Sequence, residues 1–433
     1  MRKNSAWSIQ TLSYSRLKVH IVGCAIYWFR ADLRLLDNPQ FVKACLNSER
    51  LLPVFVLPLQ EPSPWGFDRV SKQRSAWLQQ NLSDLRHSLH QRGSTLFVVE
   101  GEPSHVLPAL CTAVGADTIY CETIAAPEEQ HDILELQQAG LTVNSDWQST
   151  MLDPKTLGMD AQELPDVFTN FRQVVEKRRL RYAEPVQKPQ SIPPLPSNLP
   201  KQESISELAI ALFVNGGESQ ALTHLEQYCE RRLPDTYKDT RNALSQFDAS
   251  SKFSPWLAVG SISARTIAKR IHIYEDRYGA NDGTYWLWFE LLWRDYFRFL
   301  MLKYGKRLFN PQGLSRRTPN MFNLEPFKRW STGTTGIDLI DAGMRELAAT
   351  GFLSNRMRQI VASHWIYAMN GNWQVGAAWF ESCLIDYDVY SNQGNWLYIA
   401  GHGTDPRGGR AFNVAKQIAQ YDADGSYRKR WFH

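Results

Sequence analysis

The spacing of apolar residues changes character partway along the chain. Over the first third, short runs of β-forming residues (21–29, 51–57, 95–99, 118–121 and a weaker 141–144) alternate with stretches of helical spacing (38–46, 71–92, 103–114, 127–139). Strands and helices that alternate at this interval predict βαβ units and a doubly wound parallel sheet, an α/β fold. The glycine fingerprint of a dinucleotide-binding turn does not follow the first run. Trp28, Phe29, Arg30, Ala31, Asp32, Leu33 and Arg34 stand there instead, and their charges are expected to pair with one another at the sheet end.

From residue 206 the strand pattern fades. Stretches 221–232, 264–278, 284–304, 336–349, 355–369 and 374–384 carry helical spacing, several of them punctuated by Gly or Pro, so this half reads as all-α. Between the halves, 182–200 holds six prolines among polar residues and is predicted to be neither helix nor central strand. A chain of 433 residues exceeds one ordinary core. The expected plan is a tail at 1–22, an α/β domain at 23–150, a linker at 151–205 and a helical domain at 206–433. The tail has no acidic residue and carries Arg2, Lys3, Arg16 and Lys18, which suits an organelle presequence, a disordered tail or an upstream start codon. It lacks the apolar segment of a secretory signal, and the expected location is the cytoplasm.

Composition narrows the classes. No window approaches 18 uninterrupted apolar residues, so no membrane span is expected. A net charge of +4 is a weak pointer to a polyanionic partner. The six cysteines are scattered without a CxxC, which fits free thiols better than a disulfide frame or a zinc site. No HxxxH, HExxH, GxSxG or Walker A pattern occurs, so no metal site is expected and hydrolase and NTPase classes fall. Tryptophan is abundant: ten of fifteen lie from Trp256 onward, as core filler, stacking surface or redox relay.

Four segments carry candidate chemistry. Residues 384–413 pack three asparagines, three tyrosines and five glycines into thirty residues, so mostly irregular backbone is expected there. Such backbone either forms a long surface loop or lines a ligand, with Asp386 and Asp388 accepting from ligand hydroxyls and Asn392 facing its reactive part. Ser250, Ser251, Lys252, Phe253 and Ser254 precede Pro255 and a helix; the serines suit an N-cap, and the same hydroxyls and free N–H groups suit a phosphate. On the helix 286–297, Glu290, Trp293, Arg294 and Phe297 share a face. A Glu–Arg pair at i, i+4 is ordinarily a surface bridge, but among large aromatics a half-buried carboxylate with a role is expected. Gly351 and Ser354 read as a helix stop and a cap, Asn355 and Gln359 share the next face, and Arg358 can pair with Asp386.

The turn Asp386-x-Asp388, Asn392-Gln393-Gly394-Asn395-Trp396-Leu397-Tyr398 and Ala400-Gly401-x-Gly403-x-Asp405-Pro406-Arg407 resembles the flavin-binding turn of the photolyase/cryptochrome family, closest to its cryptochrome-DASH branch. Residues 28–34 and 164–176 match that family as well, and the resemblance runs from about Ala25 to Lys429. It implies a blue-light-dependent flavoprotein holding FAD non-covalently in the helical domain. Tyr237 and Ser250 to Ser254 would serve the phosphates, and Arg294, Asn355, Arg358, Asp386, Asp388 and Asn392 the rest of the cofactor. The implied reaction is deoxyribodipyrimidine photo-lyase chemistry, the splitting of cyclobutane pyrimidine dimers, with Glu290 and Asn355 catalytic. Glu290, Trp293, Gln359 and Tyr398 would contact the lesion. Gln359 and Tyr398 depart from ordinary dimer photolyases in the DASH direction, which favours single-stranded DNA over duplex, with RNA or duplex loops as further partners and a monomer as the acting unit. The resemblance also implies an electron-transfer pair, Trp396 and Trp373, with Asn320 where relatives keep a third Trp, and an antenna 5,10-methenyltetrahydrofolate near Glu128. The other reading is a photoreceptor that binds nucleic acid or a protein partner without repair.

Overall fold

β1 (Ala25–Phe29) is buried along its whole length, as a strand must be when helices cover both faces of its sheet. The computed structural model describes residues 21–200 and 210–432; all but the last two residues of the expected tail lie outside them. Five parallel strands, β1, β2 (Leu51–Leu57), β3 (Phe97–Glu100), β4 (Thr118–Glu122) and β5 (Thr142–Asp146), pair in the order β3-β2-β1-β4-β5. α1 (Pro39–Asn47), α2 (Lys72–His90), α3 (Pro103–Val114) and α4 (Pro127–Gln138) make the crossovers, so the doubly wound sheet is observed. β5 is an edge strand reading TVNSD with exposed residues at both ends, which is why its apolar pattern was weak.

The charged segment after β1 corrects one expectation. Its side chains do not pair with one another: Arg30 and Asp32 bind within the first domain, and Arg34 reaches the second. Asp32 accepts from Tyr27 Oη (2.5 Å), Asn38 Nδ2 (3.1 Å) and Gln148 Nε2 (3.0 Å). Arg34 donates to the Gly260 carbonyl at 3.0 Å, and Arg265 pairs with Asp37 at 2.8 Å. Gly260 sits at φ +73°, and a Cβ there would lie 1.9 Å from the Ala31 carbonyl oxygen. The close approach of the two domains therefore requires glycine at this point.

The proline-rich segment forms neither helix nor strand, yet it is strapped to the first domain. Val186 N–H donates to Asp37 Oδ1 (3.0 Å), Leu51 N–H donates to the Pro194 carbonyl (3.2 Å), and Ile192 and Leu195 pack on the clusters flanking the sheet. Before it, α5 (Phe168–Lys177) joins the core of the second domain.

That domain comprises α6 (Glu218–Glu230), α7 (Tyr237–Thr240), α8 (Ser254–Val259), α9 (Ala264–Tyr278), α10 (Asp282–Tyr304), α11 (Leu324–Ser331), α12 (Asp338–Thr350), α13 (Asn355–Ser363), α14 (Trp373–Cys383), α15 (Val389–Ala400), α16 (Val414–Tyr421) and α17 (Ser426–Trp431). The helix expected over 355–369 is α13 followed by a π turn, His364–Ala368. A second correction falls at 384–413, where α15 occupies the middle of the segment. Asp388 caps it by accepting from Ser391 N–H (2.7 Å), and Gly401 ends it at φ +74°. Small and polar residues hid this helix because it is wedged among others: Gly394 faces Phe297 and Trp396 lies over Gly376, so both helix faces are in contact. Among the described residues no helix is long and apolar enough to cross a membrane.

Candidate functional site

α10, α13 and α15, closed at one end by residues 250–258, surround a cavity of about 290 Å³. Tyr237, Ser250, Ser251, Lys252, Phe253, Ser254, Glu290, Arg294, Asn355, Arg358, Gln359, Asp386, Asp388, Asn392 and Trp396 all line it, gathered from five separate stretches of sequence. A second cavity of about 340 Å³ adjoins it, walled by Trp293, Tyr398, Phe289, Phe297, Arg410 and Phe412. Arg241, Glu290, Arg294, Asn355, Gln359, Ser391, Asn395 and Ile399 border both spaces.

The inner cavity is built from charges held in place by buried partners. Arg358 donates to Asp386 Oδ2 at 2.7 Å, as expected, and also to the Leu353 carbonyl at 2.9 Å. The other Asp386 oxygen is buried with no partner among the described residues. A buried carboxylate oxygen left bare costs free energy, which marks a place for a donor. Asp388 differs from expectation: its carboxylate is engaged by Arg298 and by the α15 N-terminus, so it fixes the turn before it can serve a ligand. Burial pushes its pKa up, but Arg298 and Arg294 outweigh burial and hold it below the usual range. Arg294 donates to the carbonyls of Ser149 and Leu257; burial and Arg298 push it down to about 9, which leaves it cationic at neutral pH.

Residues 250–254 give α8 no side-chain cap. The residue flanking α8 is Phe253, which has no capping group, so the serine hydroxyls are not spent on the helix. Lys252 adopts φ +53°, strained for a residue with a side chain, and its ammonium donates to Ser250 Oγ at 2.6 Å. Burial pushes this ammonium down to about 8, with no carboxylate in ion-pairing distance among the described residues. A half-buried cation with no ion-pair partner among the described residues, beside serine hydroxyls, suits an anion such as a pyrophosphate.

At the junction of the cavities, Glu290 pairs with Arg241 and not with Arg294, because Arg294 turns to backbone carbonyls on the other side. Burial pushes the Glu290 carboxyl up, opposed by Arg241. In the outer space Trp293 stacks on Phe168 (3.7 Å between centroids, 11°), and Tyr398 meets it edge-on at 5.8 Å. Tyr398 accepts from Arg410 at 2.5 Å, and Arg410 is anchored in turn by the buried Asp405 (2.8 Å).

Two expected residues fall elsewhere. Glu128 lies at the surface, 72% exposed, and pairs with Arg69, which also holds Glu381 of α14. The carboxylate offered to an antenna folate is thus neutralised by the protein itself. Trp373 donates to the Pro311 carbonyl (2.9 Å) and faces His402 (6.2 Å). Among the described residues no ring contact joins it to Trp396. The ring neighbours of Trp396 are Phe380 (5.1 Å) and Trp330 (6.3 Å), and Trp330 stacks on Trp365 at 5.2 Å. Asn320 ties the Ile366 and Gly371 carbonyls (3.3 and 3.2 Å) and so has a structural task. Sequence reasoning missed Arg241 and Arg298 as site residues. Their signal was present: Arg241 is four residues after Tyr237, and Arg298 continues the four-residue repeat of Glu290 and Arg294 along α10.

A parallel α/β domain cemented to an all-α domain, whose charged inner cavity opens onto an aromatic outer one, is the architecture of a photolyase-type flavoprotein. Residues 25–193 match the family described as DNA photolyase, and residues 286–433 the one described as FAD binding domain of DNA photolyase. A cryptochrome DASH of Gloeobacter violaceus is 41% identical over 424 residues, covering 94% of this chain and 85% of that protein. The crystal structure of a Synechocystis sp. cryptochrome superposes with a TM-score of 0.90 at 38% identity, covering 95% of this chain and 89% of that one. A bacterial class III photolyase from Agrobacterium tumefaciens superposes with a TM-score of 0.79 at 27% identity, covering 97% and 88%. The chain belongs to the photolyase/cryptochrome family, in its cryptochrome DASH branch.

Proposed function

We propose that this protein uses FAD and blue light to split cyclobutane pyrimidine dimers in single-stranded DNA. The observation that carries the reading is the shared wall between the cavities: Glu290, Asn355, Arg294 and Gln359 border both, so a ligand in the outer space abuts one in the inner space. FAD fits the inner cavity: Lys252 and the serine hydroxyls of 250–254 suit its pyrophosphate, and the bare Asp386 oxygen suits one of its donors. When bound, FAD in its reduced, light-excited form supplies the electron that opens the dimer and takes it back.

The protein's own residues bind, orient and exclude water. Arg241 fixes the Glu290 carboxylate so that its remaining oxygen accepts an N–H from a base in the outer cavity. Trp293, backed by Phe168, offers a stacking face. Arg410 holds Tyr398 across from it. A dimer must leave the base stack to enter, which costs a few kcal/mol and least from single strands. No step is assigned to an antenna folate, since Glu128 is exposed and ion-paired.

The test is blue illumination of the reduced protein with one dimer placed in a single-stranded oligonucleotide and in the matching duplex, at one fixed salt concentration. The single strand should be repaired well and the duplex poorly. Equal rates remove the strand preference. Intact flavin photochemistry without any cleavage replaces the lyase by the light-receptor reading.

A further inference from the structure

Glu122 ends β4 where the sheet meets the helical domain, and it lines neither cavity. It is 1% exposed, and neither carboxylate oxygen has a partner among the described residues. Every cation around it is committed elsewhere. Arg30 donates to the backbone carbonyls of Glu122 and Glu129 (3.5 and 3.2 Å) and pairs with Asp132. Arg34 donates to the carbonyls of Asp37 and Gly260, both at 3.0 Å. Arg294 serves the carbonyls of Ser149 and Leu257, and Arg298 serves Asp388. Asp32 adds a like charge nearby.

Three donors at the same junction also lack acceptors. Arg298 Nε and Ser149 Oγ are buried with no partner among the described residues. Tyr390 accepts from Ala125 N–H at 2.8 Å, three residues beyond Glu122, and its own O–H finds no acceptor among the described residues. Its ring lies against the Arg298 guanidinium at 4.6 Å. Buried donors and acceptors that make no direct bond to one another are joined through ordered water. This polar junction backs onto the inner cavity: Arg294 lines that cavity, and so does Asp388, which Arg298 holds.

We propose that Glu122 is a redox-linked proton site: when one electron from an external reductant enters the inner cavity, one proton from solvent binds a Glu122 oxygen, so the net charge behind the cavity wall is restored. This role rests on the reading of the inner cavity as the FAD site. A negative charge added beside Arg294 and Arg298 cancels part of the positive field that supports an ionised Glu122. A carboxylate already short of hydrogen bonds then takes a proton. Burial and Asp32 push this carboxyl up to about 8, against Arg34, Arg298 and Arg294. Tyr27, Cys121 and Tyr390 also face it; burial pushes each of them higher, so they stay neutral. Proton uptake therefore belongs to the range above about pH 8, because below it Glu122 already holds its proton.

The experiment measures the midpoint potential of the flavin-loaded protein from about pH 6 to 9, wild type beside Glu122→Gln, which cannot take up a proton. The two curves should coincide up to about pH 8. Above it the wild type should fall below the variant by up to tenfold in the reduction equilibrium per pH unit, about 59 mV for one electron. On reduction at about pH 9 the wild-type infrared spectrum should gain the C=O band of a protonated carboxylic acid, and Glu122→Gln should lack it. Unfolding of flavin-free protein reads the same proton without the cofactor. The folded-state carboxyl lies above its ordinary value of 4.5, so the wild type should lose stability relative to Glu122→Gln as pH rises from there to about 8. Potential curves that coincide throughout, a wild-type infrared difference without the carboxylic gain, or a stability gap that does not change with pH overturns the proposal. Should Glu122→Gln fail to fold, the wild-type infrared difference decides. A protein that binds no flavin overturns the cofactor reading and this role with it.

Discussion

Replacing Asp386 by asparagine separates two jobs that one carboxylate performs. Its Oδ2 neutralises Arg358 at 2.7 Å, and its Oδ1 is buried and bare. In Asp386→Asn the amide oxygen takes over the bond to Arg358; the acceptor loses its charge but the donor keeps its own, so the bond falls from the upper to the lower part of the about 1.5–3 kcal/mol range for bonds to charged groups. The flavin-free protein should therefore lose on the order of 1 kcal/mol of stability. The second prong, now NH₂, stands where the bare oxygen was, so a donor from FAD meets a donor. That mismatch should weaken FAD binding roughly tenfold to a hundredfold, equivalent to about 1.5–3 kcal/mol. Asp386→Ala should cost more, about 3 kcal/mol in stability as well, the low end for an uncompensated buried charge because the Arg358 side chain is 23% exposed. The assay is a fluorescence titration of flavin-free protein with FAD, run beside thermal unfolding of the same preparations. If Asp386→Asn binds FAD within twofold of wild type while losing stability, Oδ1 does not face the cofactor and the placement is wrong.

Glu290→Ala should keep its flavin but lose tenfold or more in dimer binding or cleavage, since one charge-assisted bond of about 1.5–3 kcal/mol is removed from the outer site; undiminished repair refutes the role. FAD affinity should be flat below pH 8 and fall above it by up to about tenfold per pH unit, because the Lys252 ammonium, pushed down to about 8, must be charged to hold an anion. Lys252→Met should bind more weakly at neutral pH and lose this pH dependence; a dependence that persists points to another group. Trp396→Phe should abolish blue-light bleaching of oxidised flavin with an external thiol, and Trp330→Phe should slow it more than Trp373→Phe, because Trp330 is the Trp in ring contact with Trp396. The reverse ranking sinks this order of donors. Gly260→Ala should destabilise the junction by at least about 1–2 kcal/mol from the left-handed backbone alone, with the contact to the Ala31 carbonyl added, read as a lower unfolding midpoint.

Much of this protein is determined locally. Buried parallel strands must be apolar throughout, so four of the five runs marked themselves, while the polar edge strand β5 was faint. The helical periodicity of α10 placed Glu290, Trp293 and Arg294 on one face, and the expected pairing of Arg358 with Asp386 is the one observed. Tertiary structure decided the rest, because partnership between distant segments leaves no periodic trace. It gave Glu290 to Arg241 across 49 residues and Asp388 to Arg298 across 90. It set Trp330, not Trp373, against Trp396. It made a helix of a glycine- and asparagine-rich turn, since close helix packing rewards small side chains that propensity penalises. The chemistry of each side chain was fixed by its covalent structure; which atom of it remains free for a ligand was settled by the neighbours that bind the others first.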